Sequence, residues 1–222
     1  MKSSYFTSET INNKSLEMLR KLEKFVGRHK IDFIPERSAL LILDMQRFFL
    51  EERSHAYIPS ALPIIPEIKS LATAFNELNL PIIFTRHLNT EEDAKLMARW
   101  WRDFITEEDD LSEIIPELNL PNSIIIRKTQ YDSFYQTHLE DILREKRISQ
   151  LVITGVMSHL CCETTVRSAF VRGFIVYLPI NGTATYNEDF HWATFLNLSH
   201  GFAIPVLAEE LQNYLGASKS GQ

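Results

Sequence analysis

Six short apolar runs separated by stretches of helical periodicity predict an α/β protein built on a parallel sheet. The runs are apolar at nearly every position, as strands buried on both faces require. The stretches between them repeat apolar residues at steps of three and four, which is the period of a helix with one buried face. The chain has 222 residues, 45% of them hydrophobic, enough for one domain with a sizeable core and an extension.

Taken in order, residues 1–36 are polar and helix-leaning, with Leu16, Leu19, Leu22 and Val26 at near-helical spacing. They are expected to form an extension that packs on the main domain or on a partner subunit. Pro35 marks the entry to that domain. Ala39–Leu43 is the first strand, and Asp44 follows it directly. Ile64–Leu78 is a helix with Ile65, Ile68, Leu71, Ala72, Phe75 and Leu78 on one face. Pro81–Phe84 is the second strand, followed by Thr85, Arg86 and His87. Residues 89–120 are charged and irregular and contain Trp100 and Trp101; a long insertion of this kind is often a lid or a binding loop.

Ser123–Ile126 is the third strand, with Arg127 and Lys128 after it, and His138–Lys146 is a short helix. Leu151–Ile153 is the fourth strand, interrupted by Gly155, and a helix over Cys161–Val171 follows. Phe174–Leu178 and Ala203–Leu207 are the fifth and sixth strands. Helices over Asp189–Leu198 and Glu209–Leu215 complete the pattern. The domain is expected over residues 37–216, with a flexible tail over 217–222.

Bulk properties narrow the function. A net charge of −6 argues against a nucleic-acid binder, which would carry a basic face. No apolar run approaches the ~18 residues of a membrane span, and the N-terminal MKSSYFTSET lacks the apolar core of a secretory signal. Two adjacent cysteines make no disulfide framework, which points to a reducing compartment and a cytoplasmic location.

In open parallel sheets ligands bind beyond the carboxyl ends of the strands. Asp44, Lys128 and Cys161 stand there on three different strands. Each has a plain structural reading: a turn former, a surface lysine, a small buried hydrophobe. Together they supply a nucleophile, a proton carrier and a positive charge. The two cysteines separate by spacing. Cys162 heads a stripe with Val166, Ala169 and Phe170, so it faces the core, whereas Cys161 shares its side with Thr165 and Ser168. Cys161 is therefore expected as an exposed thiol in the first helical turn, where helix N–H groups and Lys128 would lower its pKa.

Three segments carry a resemblance. Leu43-Asp44-Met45-Gln46, Lys128 with Tyr131 and Ser133-Phe134, and Gly155 through Cys161 resemble the motif regions of isochorismatase-like cysteine hydrolases. The similarity spans about Asp32 to Leu215. It implies a three-layer α/β/α fold with a six-stranded parallel sheet, and a homodimer or homotetramer. It also implies Asp44 as acid/base, Lys128 as electrostatic partner, Cys161 as nucleophile and a cis peptide at Val156-Met157. Backbone N–H groups of Met157 and Cys161 are the expected oxyanion donors.

Cysteine members of the family hydrolyse C–N bonds of small amides, ureas or carbamoyl compounds through a thioester. Isochorismatases cleave a vinyl ether and carry glycine where this chain has Cys161. The entry Asp32–Leu40, the run Lys128–Phe134 and His159 resemble the isochorismatases. His87 and Met157 depart from them, standing where those enzymes tend to have glutamine and tyrosine. Nicotinamidase-type members add an aspartate–histidine metal site after the first strand; Arg47–Pro59 offers only His55, so no metal and no cofactor are expected. Candidate substrate contacts are His87, Trp101, Tyr131 and Phe134. His87 reads equally as a surface histidine, Trp101 as an anchor of the insertion, and His191 as structural. The expectation is a small-molecule hydrolase that cleaves a C–N bond of an amide, urea or carbamoyl compound through a thioester on Cys161, with vinyl-ether hydrolysis using Asp44 as general acid, or a catalytically idle binding member of the family, as the alternatives.

Overall fold

The computed structural model describes residues 1–26 and 31–219. Seven parallel strands form one sheet: β1 (Ser38–Leu43), β2 (Ile82–His87), β3 (Ile124–Lys128), β4 (Gln150–Val156), β5 (Ile175–Pro179), β6 (Thr183–Ala184) and β7 (Ile204–Val206). Their order is β3-β2-β1-β4-β5-β7, with β6 paired to β4 off that path. The six expected strands are all present; the seventh, β6, is two residues long and too short to show as an apolar run.

The helices are α1 (Ile11–Val26), α2 (Arg47–Leu50), α3 (Ile65–Glu77), α4 (Met97–Trp100), α5 (Leu139–Glu145), α6 (Glu163–Val171), α7 (Glu188–Gly201) and α8 (Ala208–Lys219). The longer ones flank the sheet: α3 packs against β1 and α8, and α6 against β5 and α7. All six residues of β1 and all seven of β4 are buried, which is why these segments read as unbroken apolar runs.

The chain enters the sheet at its centre. It moves outward through β2 and β3, then crosses back to lay β4 on the other side of β1. The connections leave the carboxyl ends of β1 and β4 in opposite directions, and that reversal opens a crevice. Asp44 follows β1 and the cysteine loop follows β4, so both face it. Gly155 does not interrupt β4, as expected from sequence, but lies within it. It pairs with Leu43 and has φ +105°, a conformation that glycine adopts without steric cost. A Cβ there would lie 2.1 Å from the Leu43 carbonyl oxygen.

The N-terminal extension packs on the domain. The buried face of α1 is Ile11, Ser15, Met18 and Leu22, while Leu16 is exposed; the side chain of Val26 lies outside the described residues. Ahead of α1, residues 1–10 are not helical. The Ser3 N–H donates to the Tyr186 carbonyl (2.8 Å), and the Tyr5 and Phe6 N–H groups donate to Ser60 Oγ. Tyr5 Oη accepts from the Thr185 N–H (3.0 Å), and the Lys2 ammonium donates to the His55 carbonyl. This strap ties the loop after β1 to the loop after β6. At the other end α8 continues through Lys219, taking in the first part of the expected flexible tail; residues 220–222 lie outside the described residues.

Candidate active site

Asp44 ends β1 by turning into the left-handed region at φ 51°, which aspartate tolerates better than most residues. The turn sends the backbone away and leaves the carboxylate at the strand's carboxyl end, fully buried. Its Oδ1 accepts from Thr85 Oγ1 at 2.7 Å, and its N–H donates to the same hydroxyl at 3.2 Å. Thr85 thereby fixes the carboxylate in one orientation.

Lys128 reaches the same point from the end of β3, with its side chain fully buried. Its Nζ lies 2.8 Å from Asp44 Oδ2, 3.0 Å from the Gln130 carbonyl and 3.1 Å from His87 Nδ1. The Tyr131 carbonyl and Cys161 Sγ stand farther off, at 3.4 Å. Burial works against the ammonium, but Asp44 and Cys161 outweigh it and hold the lysine pKa above its ordinary value. Lys128 is thus a fixed positive charge between carboxylate and thiol.

The loop after β4 carries a cis peptide at Val156-Met157 and then a single π-helical turn, Ser158–Cys162, before α6 begins at Glu163. Both cysteines sit in that turn, and α6 starts two residues after the Cys161 read from sequence as the helix start. The expectation of an exposed thiol is corrected: Cys161 is 5% exposed and Cys162 fully buried. Of the two, only Cys161 faces the pocket. Its thiol pKa is likewise corrected. Burial pushes it up to about 12; Lys128 pulls it down, and the Asp44 carboxylate adds to the rise. The resting group is a protonated thiol, and its hydrogen has Asp44 as a nearby acceptor.

Above Cys161 lies a pocket walled by Phe48, Phe49, Trp101, Phe104, Tyr131 and Tyr186. His87, Met157 and Leu160 also line it, and among the described residues no arginine or lysine does. The irregular insertion supplies part of the wall through Met97, Trp101 and Phe104–Ile105. Trp101 Nε1 donates to the Tyr131 hydroxyl at 2.6 Å. Among the sequence-derived candidates, His87, Trp101 and Tyr131 come together here. Phe134 does not: it stacks on Phe174 at 5.9 Å between centroids and lies under the Arg172 guanidinium, so its place in the motif reflects packing.

Several site residues gave no chemical signal in the sequence. The Gln46 side chain donates to the His87 and Ser112 carbonyls and accepts from the His87 N–H, locking the end of β2 to β1. Ser158 Oγ lies 3.0 Å from His191 Nδ1, which holds the start of the turn that carries both cysteines. Thr165 Oγ1 accepts from the Ser133 N–H. Each is a polar residue, and only its burial reveals its role.

Two donor sets bear on a metal. Asp44, His87 and Cys161 bring ligand atoms within 4.8 Å of one another, but the Lys128 ammonium already sits among them, and a second cation there would meet direct repulsion. On the pocket wall His55 Nδ1 lies 3.4 Å from Asp103 Oδ2; two donors fall short of the three protein ligands of a catalytic zinc. Neither set fits a bound divalent ion.

Residues 38–210 match the isochorismatase domain family. The chain is 32% identical over 184 residues to nicotinamidase 3 of Arabidopsis thaliana, covering 80% of this chain and 88% of that protein. It is 28% identical over 191 residues to enterobactin synthase component B of Escherichia coli, covering 84% and 67%. Among solved structures, a cysteine hydrolase from Pseudomonas syringae pv. phaseolicola superposes with a TM-score of 0.79 at 21% identity, covering 85% and 97%.

Proposed function

The chain belongs to the isochorismatase family of hydrolases, and on that premise we propose that it cleaves the C–N bond of a small, flat, uncharged amide or carbamoyl compound through a thioester on Cys161. One observation carries the reading: at the floor of the apolar pocket, Cys161 Sγ lies 3.4 Å from a lysine that is itself 2.8 Å from a buried carboxylate.

The steps follow from that arrangement. As Cys161 Sγ bonds to the carbonyl carbon, Asp44 takes the thiol proton. The carbonyl electron pair becomes an oxyanion, held by the N–H groups of Met157 and Cys161. Asp44 returns the proton to the departing nitrogen, the C–N bond breaks and the amine leaves. A water then gives a proton to Asp44 and its hydroxide to the acyl carbon; the C–S bond breaks, Asp44 returns that proton to the Cys161 sulfur, and the carboxylic acid product leaves. A raised thiol pKa suits this order, because the proton moves only when a substrate is present to receive the sulfur.

The pocket supports the substrate class. Aromatic walls favour a planar ring or conjugated amide, and a lining without arginine or lysine among the described residues gives a carboxylate-bearing substrate no partner. Similarity to a protein named nicotinamidase supports an aryl carboxamide. The vinyl-ether alternative would use Asp44 as general acid with Cys161 idle. The test is a panel of aryl carboxamides, ureido compounds and isochorismate, assayed with native protein and with Cys161→Ala. Turnover of an amide, lost in the variant, with an acyl adduct on Cys161 after acid quenching, is expected. Isochorismate hydrolysis that survives Cys161→Ala would replace this reading. No turnover of any compound, with tight binding, would favour the idle alternative.

A further inference from the structure

We infer that His87 is a positioning residue for Lys128: its Nδ1 lone pair accepts an ammonium N–H, and Asn89 fixes the tautomer that makes this possible. His87 and Lys128 are register partners at the ends of β2 and β3, so the backbone itself sets them side by side. Nδ1 lies 3.1 Å from Nζ, and Nε2 lies 2.9 Å from Asn89 Oδ1.

The tautomer follows from the hydrogen-bond network. Asn89 Nδ2 donates to the Thr129 carbonyl at 2.9 Å and to Asp93 Oδ1 at 3.1 Å. Both partners are acceptors, so the amide NH₂ must face them and Oδ1 must face the imidazole. Nε2 therefore carries the hydrogen and Nδ1 the lone pair. Asp93 is anchored in turn by the Thr90 N–H and by Arg127. A protonated His87 would aim an N–H at the ammonium; burial, reinforced by Lys128, holds its pKa down at about 4, against the opposing pull of Asp44 and Asp93.

An ammonium has three hydrogens. The three shortest contacts of Lys128 are Asp44, the Gln130 carbonyl and His87. The Tyr131 carbonyl and Cys161 Sγ stand farther off, at 3.4 Å, so among these acceptors His87 Nδ1 at 3.1 Å favours one rotation of the group. His87 thus sets the orientation of the charge that faces Cys161. It lines the pocket as well, but its ring nitrogens are both committed inside the protein, leaving little polar capacity for a substrate.

The test has two arms that need no substrate and one that does. In native protein with ¹⁵N-labelled histidine at neutral pH, His87 should show a protonated Nε2 and an unprotonated Nδ1. The rate of Cys161 alkylation by chloroacetamide should fall roughly tenfold, the equivalent of one pKa unit, in His87→Leu, which has no acceptor. In His87→Asn, whose Oδ1 stands as far from Cβ as Nδ1 does, it should stay near native. With an amide identified as above, His87→Leu should lose roughly 10²-fold in kcat at little change in KM, and His87→Asn should recover most of it. A native spectrum with Nδ1 protonated, or His87→Leu with native kcat, native alkylation and raised KM, would overturn the inference. The kinetic arm rests on the proposed function. Failure of every amide with the expected spectrum and alkylation rates would sink that function and leave the role of His87 standing.

Discussion

Asp44 has both oxygens engaged before any substrate arrives, one by Thr85 and one by Lys128. Amide and vinyl-ether hydrolysis both need its proton transfer, so Asp44→Asn should lower kcat by on the order of 10²-fold or more. The substitution also leaves the buried Lys128 facing a neutral amide, which should cost on the order of 3 kcal/mol. Kinetics below the melting temperature, with circular dichroism to show native folding, check this; a folded variant with near-native kcat would overturn the site assignment. Asp44, Lys128 and Cys161 were legible in the sequence because each stands beyond an apolar run, where a parallel sheet presents its ligands. Helical spacing separated Cys161 from Cys162 only in part: Cys162, Val166 and Ala169 are buried as read and Cys161 lines the pocket, but Phe170 is exposed and Thr165 is buried. The degree of burial of Cys161 was not legible, because a π turn shifts both thiols inward and a sequence does not announce one. Asn89 and Gln46 were illegible for another reason: they act through the ends of strands distant in the chain.

Strand positions were read within a few residues; β1 and β4 are buried on both faces, whereas the edge strand β3 carries an apolar run with Ile125 exposed. Strand ends were not legible. β4 runs three residues past its apolar start because Gly155 can follow it at positive φ where β1 presses closest. Gly155→Ala tests that contact. A methyl group 2.1 Å from the Leu43 oxygen must push β1 from β4 at the point where Asp44 and the cysteine loop diverge. The expected result is a loss on the order of 3 kcal/mol, read as a lower urea midpoint, with activity falling in the protein that still folds. Native stability in Gly155→Ala would mean the strands are not held so closely. The α1 face was misread by one position, Leu16 for Ser15, because a buried serine breaks the apolar pattern that helix reading depends on.

At the scale of the whole molecule, His87, His159 and His191 are held neutral, chiefly by burial, with pKa values down at about 4, about 4 and about 3. In the unfolded chain each returns to the ordinary value of 6.5. Between about pH 6.5 and about pH 4 the unfolded state therefore binds more protons, and stability falls as the solution is acidified through that window. On the alkaline side Cys161 is raised from 9.0 to about 12, and burial raises Cys162 and Tyr5 as well. Unfolding then releases protons, and stability falls again above about pH 9. Urea midpoints should be highest near pH 7.5 and lower near pH 5 and near pH 10. A midpoint at pH 5 equal to that at pH 7.5 would contradict the buried neutral histidines. The topology behind this burial was legible as alternating strands and helices. The order of the strands was not, because pairing depends on which apolar faces meet in space. Among the described residues no helix is long and apolar enough to cross a membrane.

The strap at residues 1–10 has a practical corollary for anyone handling the protein. Lys2 and Ser3 grip the carbonyls of His55 and Tyr186, two residues of the pocket wall. A purification tag fused ahead of Met1 would pull on the pocket, whereas one fused after Gln222 leaves the strap alone. Kinetic constants from differently tagged preparations would then differ without any change in the chemistry. Nicking by a protease within the first ten residues would loosen two walls of the pocket at once while sparing Asp44, Lys128 and Cys161.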